Sequence, residues 1–147
     1  MLLIFDIDGT LADCSTRLQH IKGPGKKNWM KFFDGMANDL PIREMVLLHD
    51  KLSNMPNTIA YCTGRPETYR EVTLKWLNHN VAHQKDVKLY MRHEKDNRSD
   101  YIVKVELLNK IKKDIGTPDL WFDDRQGVVD AIRKEGIRVL QVDAGDF

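Results

Sequence analysis

The stretch that decides the fold lies at residues 2–10 and reads Leu2-Leu3-Ile4-Phe5-Asp6-Ile7-Asp8-Gly9-Thr10. Four apolar residues in succession are typical of a strand that is covered on both faces of a parallel sheet. Asp6 and Asp8 follow one residue apart, and Gly9 then suits a turn. In open α/β sheets, ligands bind at the carboxyl ends of the strands. Because two carboxylates packed there without a partner would be costly, we expect them to hold one, and a divalent cation would serve.

Four further apolar runs repeat the strand pattern, at residues 58–62, 87–91, 120–122 and 138–142. The segments between the runs carry apolar side chains at helical spacing. The positions concerned are Ile42, Met45, Val46, Leu52 and Met55, then Tyr69, Val72 and Trp76, then Ile102, Val105, Leu108 and Ile111, and finally Val128, Val129 and Ile132. Strands that alternate with helices in this way predict an α/β fold with a doubly wound, parallel, five-stranded sheet.

The length of 147 residues is enough for one domain with a full core, so residues 1–147 are predicted to form a single domain. Residues 12–40 separate the first strand from the first core helix and are too many for an ordinary connection. Long insertions beside strand ends commonly build lids or binding loops. We therefore predict that residues 12–40 form a small cap over the site.

Composition narrows the class of protein. A hydrophobic content of 41% and a charged content of 31% are ordinary for a soluble globular chain. The net charge is +1, so any nucleic-acid site must be a local patch. Cys14 and Cys62 give no disulfide framework, and no stretch is long enough to span a bilayer. We expect a cytoplasmic protein without a membrane partner.

Polar residues follow several of the predicted strands and would meet at one edge of the sheet. They are Asp6 and Asp8, Thr63-Gly64-Arg65, the loop residues Arg98 and Asp100 with Lys104 beyond them, and Asp123-Asp124-Arg125. This combination suits phosphoryl transfer, because acids hold Mg²⁺ and a carboxylate can attack phosphorus. The hydroxyl and the cations would neutralise the phosphoryl oxygens in the transition state.

The chain resembles the haloacid dehalogenase (HAD) superfamily of phosphatases in four motifs. In order, these are Asp6-Ile7-Asp8-Gly9-Thr10, Thr63, Lys104 and Asp123-Asp124. Within the superfamily the chain is most similar to the 3′-phosphatase half of bacteriophage polynucleotide kinase-phosphatase and to related stand-alone phage proteins. The residues that carry this closer resemblance are Arg17, Thr63-Gly64-Arg65, Arg98-Ser99-Asp100, Asp123-Asp124-Arg125 and the ending Gln141-Val142-Asp143-Ala144-Gly145-Asp146-Phe147.

The resemblance implies a role for each matched residue. Asp6 would be the nucleophile and a metal ligand. Asp8 would act as general acid and then general base, and would bind the metal through its carbonyl. Asp123 and Asp124 would complete a Mg²⁺ site, and the sequence leaves open which of them binds directly. The residues expected to hold the phosphoryl group are Thr63 and Lys104, and those expected to bind the rest of the substrate are Arg17, Gly64, Arg65 and Arg98.

Structural explanations remain open for several of these residues. Asp123-Asp124 could cap a helix that begins near Gln126, and Lys104 could pair with Asp100 one helical turn away.

In the predicted cap, aromatic residues at helical spacing stand among cations: Trp29, Phe32 and Phe33 with Arg17, Lys22, Lys26, Lys27 and Lys31. They could form a cationic track with a stacking aromatic for single-stranded nucleic acid. Alternatively, they could form a short helix with its aromatics buried and its lysines in water.

As a whole, the resemblance implies a Mg²⁺-dependent phosphatase that removes 3′-phosphates from DNA or RNA ends. A phosphatase of nucleotides or other small molecules is one alternative, and a non-catalytic nucleic-acid-binding module is another. The stretch Gly23-Pro24-Gly25-Lys26-Lys27 is not a nucleotide-binding P-loop, because His20 stands in place of the leading glycine and Lys27 in place of the required Ser or Thr. We therefore expect no kinase activity in this chain and consider a separate kinase or ligase partner.

Overall fold

The computed structural model describes residues 1–82 and 86–145, so Asp146 and Phe147 of the C-terminal motif lie outside the described residues. In chain order, the elements are β1 (Leu2–Phe5), β2 (Ala12–Asp13), α1 (Trp29–Asp34), β3 (Leu40–Pro41), α2 (Arg43–Ser53), β4 (Thr58–Pro66), α3 (Arg70–Asn80), β5 (Lys88–Arg92), α4 (Asp100–Asp114), β6 (Leu120–Arg125), α5 (Gln126–Lys134) and β7 (Arg138–Gly145). Turns of 3₁₀ helix occupy Ser15–His20, Met36–Asn38 and Glu67–Tyr69.

β1 lies at the centre of a five-stranded sheet in which the strand order is β5-β4-β1-β6-β7. All four strand pairs are parallel. β1 pairs with β4 from Leu2 opposite Thr58 to Phe5 opposite Tyr61, and it pairs with β6 on its other side. Because all strands run in one direction, the carboxyl ends of β1, β4 and β6 meet at the same edge. The predicted α/β fold with a parallel five-stranded sheet is confirmed.

Helices cover both faces of the sheet, as a doubly wound fold requires. Side chains of β1 alternate between the two faces, with Leu2 and Ile4 in one core and Leu3 and Phe5 in the other. Helices α4 and α5 cover the first core, and α2 and α3 cover the second. Burying an apolar side chain of this size contributes roughly 1.5–3 kcal/mol. The central strand is therefore held firmly, and with it the position of Asp6.

Three strands run further than the apolar pattern predicts. β4 continues to Pro66, β6 to Arg125 and β7 to Gly145, while β5 is displaced by one residue to Lys88–Arg92. The register shifts between Thr63 and Pro66 and again between Asp123 and Arg125. Such irregular pairing changes the direction of side chains. The polar groups Thr63-Gly64-Arg65 and Asp123-Asp124-Arg125 therefore lie within the irregular ends of β4 and β6 and not after them.

The prediction for the first core helix is wrong at its end. Helix α2 stops at Ser53, and Met55 is 55% exposed instead of lying on the apolar face. Pro56 follows Met55 and disfavours helical backbone in the residue before it. Met45, Val46 and Leu52 do pack against the core.

No helix within residues 1–82 and 86–145 combines the length and the apolar character needed to span a bilayer.

The segment predicted as a cap, residues 12–40, begins and ends with the antiparallel strands β2 and β3. Between them lie the first two 3₁₀ turns and the short helix α1. Phe32 is 2% exposed and packs with Cys14 and Ile21 in a small core of the segment. Residues 22–31 are exposed to solvent. The segment therefore has its own apolar anchor and a solvent-facing basic stretch.

Candidate active site

A cluster of acids around one lysine lies at the carboxyl ends of β1 and β6. Asp6 follows β1 directly, and its amide donates to the Phe122 carbonyl at 3.0 Å. The Lys104 ammonium, from α4, lies 2.8 Å from Asp6 Oδ1 and 2.8 Å from Asp123 Oδ2. We call Asp6, Lys104, Asp123 and Asp124 the lysine cluster. Lys104 is 1% exposed, so its charge is stabilised by Asp100, Asp123 and Asp6, and not by water.

Negative charge is in excess in the lysine cluster. One oxygen from each of Asp6, Asp123 and Asp124 lies within 4.8 Å of the others. Burial raises the pKa of Asp6 well above its ordinary value, and Asp123 and Asp124 add to the rise while Lys104 opposes it. Burial and the charge of Asp123 raise the pKa of Asp124 to about 7. Three carboxylates facing one ammonium form a site that a divalent cation would neutralise.

Asp123 is fully engaged by neighbouring donors. Its Oδ2 accepts hydrogen bonds from Lys104 Nζ at 2.8 Å and from Trp121 Nε1 at 3.1 Å. Its Oδ1 accepts from the Arg125 amide at 3.2 Å. The N-cap residue of α5 is Arg125, and within residues 1–82 and 86–145 its side chain makes no capping hydrogen bond, so neither of the adjacent acids is the N-cap of this helix. The contacts of Asp123 instead hold the lysine in place beside Asp6.

Asp124 has an oxygen that still needs a partner. Its Oδ1 is buried and accepts no hydrogen bond from any described residue. Gly9 and Gly145 face Asp124 so closely that a Cβ at either position would overlap the carboxylate. Asp6, Asp123 and Asp124 thus fit a divalent cation, because they offer oxygen donors and one unsatisfied buried oxygen. Of the two adjacent acids, Asp124 is the better candidate for direct metal binding.

A second ion cluster surrounds Asp8. Arg65 donates hydrogen bonds to Asp8 at 3.0 and 2.6 Å, and Arg17 donates one at 2.7 Å. Arg17 also donates two hydrogen bonds to Asp39, and Arg65 lies 3.6 Å from the same carboxylate. We call Asp8, Arg17, Asp39 and Arg65 the arginine cluster. Burial alone would raise the pKa of Asp8, but Arg65 and Arg17 together outweigh it and lower the pKa to about 2.

Two of the three arginines predicted to bind substrate, Arg17 and Arg65, are buried. Arg17 is 3% exposed and Arg65 is 0% exposed, and both direct their guanidinium groups at Asp8. Their substrate-binding role stays a prediction, while their contact with Asp8 is a property of this structure. Two carboxylates and two guanidinium groups balance each other in this cluster, so it needs no further ion.

Asp39 is a site residue that sequence reasoning missed. It precedes β3 at the end of the cap segment, and its side chain is buried. Its backbone carbonyl accepts a hydrogen bond from Trp76 Nε1 at 2.8 Å, which ties it to α3. Asp39 belongs to none of the motifs in the sequence. The only signal for it is an acid at the end of a segment in which lysines are frequent.

The Thr63-Gly64 segment lies beside the first turn of α4. A Cβ on Gly64 would overlap the Asp100 carboxylate, so glycine permits this close approach. Arg92 Nε donates to the Gly64 carbonyl at 2.9 Å, and Arg92 Nη2 donates to Asp100 Oδ1 at 3.1 Å. Arg92 is a second residue that sequence reasoning missed. The expected pairing of Lys104 with Asp100 is present at 3.5 Å, but the Lys104 ammonium lies closer to Asp6 and Asp123, at 2.8 Å from each.

Arg98 is engaged elsewhere. Its guanidinium bonds Asp96 and Glu106, with distances of 2.7 Å to each acid, and the residue is exposed. These two acids neutralise the positive charge with which Arg98 would otherwise bind a substrate phosphate. Substrate binding by Arg98 therefore stays a prediction, and it would require Arg98 to exchange these partners.

A cavity of about 660 Å³ lies at this edge of the sheet, within the ~300–1,000 Å³ typical of small-molecule sites. Its lining includes both aspartates after β1, most of the predicted phosphate-binding residues, and parts of the cap: Asp6, Asp8, Thr63, Gly64, Lys104, Arg92, Arg98, Arg125, Lys27 and Trp29. The two ion clusters therefore share one opening, because Asp6 and Asp8 both line the cavity.

The fold and the site together define a class of protein. In this chain, the central strand of a doubly wound sheet is followed by two acids one residue apart. A lysine lies against the first acid, and a pair of acids lies on the neighbouring strand. This is the arrangement of HAD phosphatases. The comparisons with known proteins define the family more closely. A family model described as the polynucleotide kinase PNKP phosphatase domain matches residues 1–147, and the chain belongs to this family.

Solved structures agree with this assignment. A chain from a Pnkp1/Rnl/Hen1 RNA repair complex is 28% identical with a TM-score of 0.74, and one from a Pnkp1/Rnl/Hen1 complex is 27% identical with a TM-score of 0.78. Each match covers 99% of this chain but only 43% and 46% of those chains, so this chain spans less than half their length. A HAD family enzyme from Bacteroides thetaiotaomicron, in complex with magnesium and inorganic phosphate, shares the fold at 14% identity and a TM-score of 0.59. That match covers 99% of this chain and 96% of the enzyme.

Proposed function

We propose that this phosphatase depends on Mg²⁺ and removes the 3′-phosphate from DNA or RNA ends through a phosphorylated Asp6. The observation that carries the proposal is the buried group of Asp6, Asp123 and Asp124 beside Lys104, in a chain of the PNKP phosphatase family. The similarity to chains of an RNA repair complex supports a nucleic-acid substrate.

The metal would be held by Asp6, Asp124 and the backbone carbonyl of Asp8, with Asp123 supporting the site through Lys104. When bound, Mg²⁺ would neutralise charge on the phosphoryl oxygens. The unpartnered oxygen of Asp124 supports its place as a direct ligand.

Asp6 would act as the nucleophile. Its carboxylate oxygen would bond to phosphorus while the bond between phosphorus and the 3′-oxygen breaks. The charge of Lys104 lowers the pKa of Asp6 against the effect of burial, and so favours the reactive carboxylate. Thr63 and Lys104 line the cavity and would bind the phosphoryl oxygens, and Gly64 and Arg98 would contact the adjoining substrate.

Asp8 would transfer protons. It would give a proton to the departing 3′-oxygen and later take one from the water that attacks the phosphorus of the aspartyl phosphate, releasing inorganic phosphate and free Asp6. In the absence of substrate, Arg17 and Arg65 keep the pKa of Asp8 at about 2. A negatively charged phosphoryl group in the cavity would raise this pKa by repulsion and would compete for the guanidinium groups. Arg17 and Arg65 would thus orient Asp8 before substrate binds and then help to bind the substrate.

The proposal extends to the setting of the reaction. We propose that residues 1–147 act as one domain with residues 12–40 as its cap, in the cytoplasm, and that a separate kinase or ligase partner completes end repair. The assembly of similar chains with other proteins in a repair complex supports such a partner.

The decisive experiment measures initial rates on a 3′-phosphorylated oligonucleotide, as DNA and as RNA, on the 5′-phosphorylated isomer and on free nucleotides. We expect a strong preference for the 3′-phosphorylated end, loss of turnover in EDTA and recovery with Mg²⁺. Preference for free nucleotides would favour a small-molecule phosphatase. Absence of turnover on every substrate, together with oligonucleotide binding, would favour a non-catalytic module.

A further inference from the structure

Trp29 is an aromatic side chain of the cap that the fold leaves open to the active-site cavity. It is 39% exposed, whereas Phe32 of the same helix is 2% exposed. The Trp29 ring rests on Phe32 and Phe33, with ring centroids 5.6 and 6.0 Å away. Two supporting rings hold the indole while part of it faces the cavity that contains Asp6. The sequence left open whether the aromatics of the cap are buried or available for stacking. Phe32 is buried, whereas Trp29 is available to a ligand.

Tyr101 is a second exposed aromatic in the same cavity. It follows Asp100 in the first turn of α4 and is 47% exposed. Its side chain lines the cavity. A large apolar ring that the core does not use, beside a phosphate-binding site, has a surface available for stacking. Trp29 and Tyr101 come from different elements and converge on one cavity.

Cations accompany both rings. The Lys27 ammonium lies 5.4 Å from the centroid of the Trp29 ring, within the exposed basic stretch of the cap. Arg92 and Arg125 line the cavity on the side of Tyr101, and both contact Asp100. Aromatic faces beside positive charge are the two components of single-stranded nucleic-acid binding, because bases stack and phosphodiesters pair with cations.

Resting on the proposed function, we propose that Trp29 and Tyr101 stack nucleobases next to the 3′-phosphate that enters the lysine cluster. Lys27 would then pair with a neighbouring phosphodiester. Stacking tolerates any base, because every base has a flat aromatic face. The site would therefore select strand ends that carry bases over phosphate esters without them, and it would impose little sequence preference.

The first test compares Trp29→Ala and Tyr101→Ala with the conservative variants Trp29→Phe and Tyr101→Phe. The substrates are a 3′-phosphorylated oligonucleotide, the same strand with abasic sites at its last two positions, and glycerol phosphate. We expect KM for the normal oligonucleotide to rise about tenfold in each alanine variant. KM for the abasic strand and for glycerol phosphate should stay nearly unchanged in the alanine variants, so the effect on the normal oligonucleotide is about tenfold larger. In the phenylalanine variants, KM for the normal oligonucleotide should return most of the way to the wild-type value. Leu47→Ala serves as the matched control, because Leu47 is 51% exposed on α2 and does not line the cavity.

The second test measures binding without turnover. In Asp6→Asn protein, the oligonucleotide should quench tryptophan fluorescence, because Trp29 is the exposed tryptophan while Trp76 and Trp121 are 3% and 0% exposed. Trp29→Phe should remove the quenching, and the abasic strand should produce little of it.

The outcomes separate this inference from the proposed function. If the wild-type protein hydrolyses the 3′-phosphorylated oligonucleotide and the alanine variants lose the same factor on all three substrates, base stacking is wrong and the proposed function stands. If fluorescence is unchanged on binding, the place of Trp29 in the site is wrong. If the wild-type protein does not hydrolyse the oligonucleotide, the proposed function fails and this inference fails with it.

Discussion

Asp6 and Asp8 are two positions apart in the chain, yet they lie in ion clusters of opposite balance. Asp6 shares the Lys104 ammonium with other carboxylates, and its pKa is raised. Asp8 faces the guanidinium groups of Arg17 and Arg65, and its pKa falls to about 2. The arginine cluster is electrically complete, while the lysine cluster has an excess of negative charge. The comparison teaches that two identical side chains on one strand end acquire different chemistry from the partners around them.

The largest effect should come from the nucleophile. Asp6→Asn removes the attacking oxygen and should lower kcat on the order of 10⁴-fold or more. The fold should persist, because the substitution preserves shape and leaves Lys104 paired with Asp123. Steady-state turnover checks the first point and circular dichroism the second. An Asp6→Asn protein that keeps its turnover would assign the nucleophile to another residue.

Asp8→Asn should cause a smaller loss that depends on the leaving group. General acid–base catalysis contributes ~10²–10⁴-fold, so kcat on a 3′-phosphorylated oligonucleotide should fall within that range. An aryl phosphate with an acidic phenol departs without a proton, so its first step should suffer much less. Burst kinetics with the aryl phosphate would show the phosphorylated protein accumulating. Equal losses on both substrates, without a burst, would contradict a proton-transfer role for Asp8.

Within the lysine cluster, the two adjacent acids should differ in their effect on metal binding. Asp124→Asn should raise the Mg²⁺ concentration for half-maximal activity by about 100-fold or more, since even residues that only support metal ligands typically contribute 10–100-fold. Asp123→Asn should raise it less, because Asp123 is engaged by Lys104 and Trp121. Asp114→Asn, an exposed acid on α4, is the matched control. A larger Mg²⁺ effect at Asp123 would reverse the assignment.

The smallest effect is a pH dependence of stability that should run in opposite directions in the two clusters. The pKa of Asp124 is about 7 in the folded protein and about 3.9 in the unfolded chain. The folded state therefore binds a proton that the unfolded state has lost, and the protein loses stability as pH rises from about 4 to 7. In EDTA, the Tm of Asp124→Asn relative to wild type should therefore increase over this range by on the order of 10 °C, because each pKa unit contributes ~1.36 kcal/mol and each kcal/mol changes Tm by ~2–4 °C for a chain of this size. Calorimetry in EDTA at several pH values measures it, and a constant difference would contradict the raised pKa.

Asp8 should show the reverse dependence. Its folded pKa of about 2 lies below the reference value of about 3.9, so its stabilisation is present above pH 4 and is lost as pH falls toward 2. Asp8→Asn should therefore lower Tm at pH 7, and the deficit should shrink below pH 4. A deficit that stays constant down to pH 2 would show that packing, and not charge, accounts for it.

The sequence predicts those parts of the fold and site that depend on local patterns. The apolar run of β1 and the acids after it are contiguous, so the position of Asp6 at a strand end follows from periodicity. Asp39 escapes prediction because its partner Arg17 lies 22 positions away in the chain. Arg92 escapes prediction because it belongs to none of the motifs, and its contact with Gly64 joins residues 28 positions apart. Asp123 and Asp124 differ in their contacts: Asp123 accepts from Lys104 and Trp121, while one oxygen of Asp124 has no partner among the described residues. Both lie at an end of β6 where the pairing is irregular, and two adjacent aspartates in a sequence do not reveal such a difference.

Arg17 also bears on how such proteins can be re-engineered. Its guanidinium donates to the Phe32 carbonyl at 2.7 Å and lies over the Phe32 ring, while the same group bonds Asp8. Both Arg17 and Asp39 belong to residues 12–40. This insertion is therefore not an interchangeable module. A chimera that received a foreign cap would lose two of the three charged residues around Asp8, so both residues would have to be transferred with any new specificity.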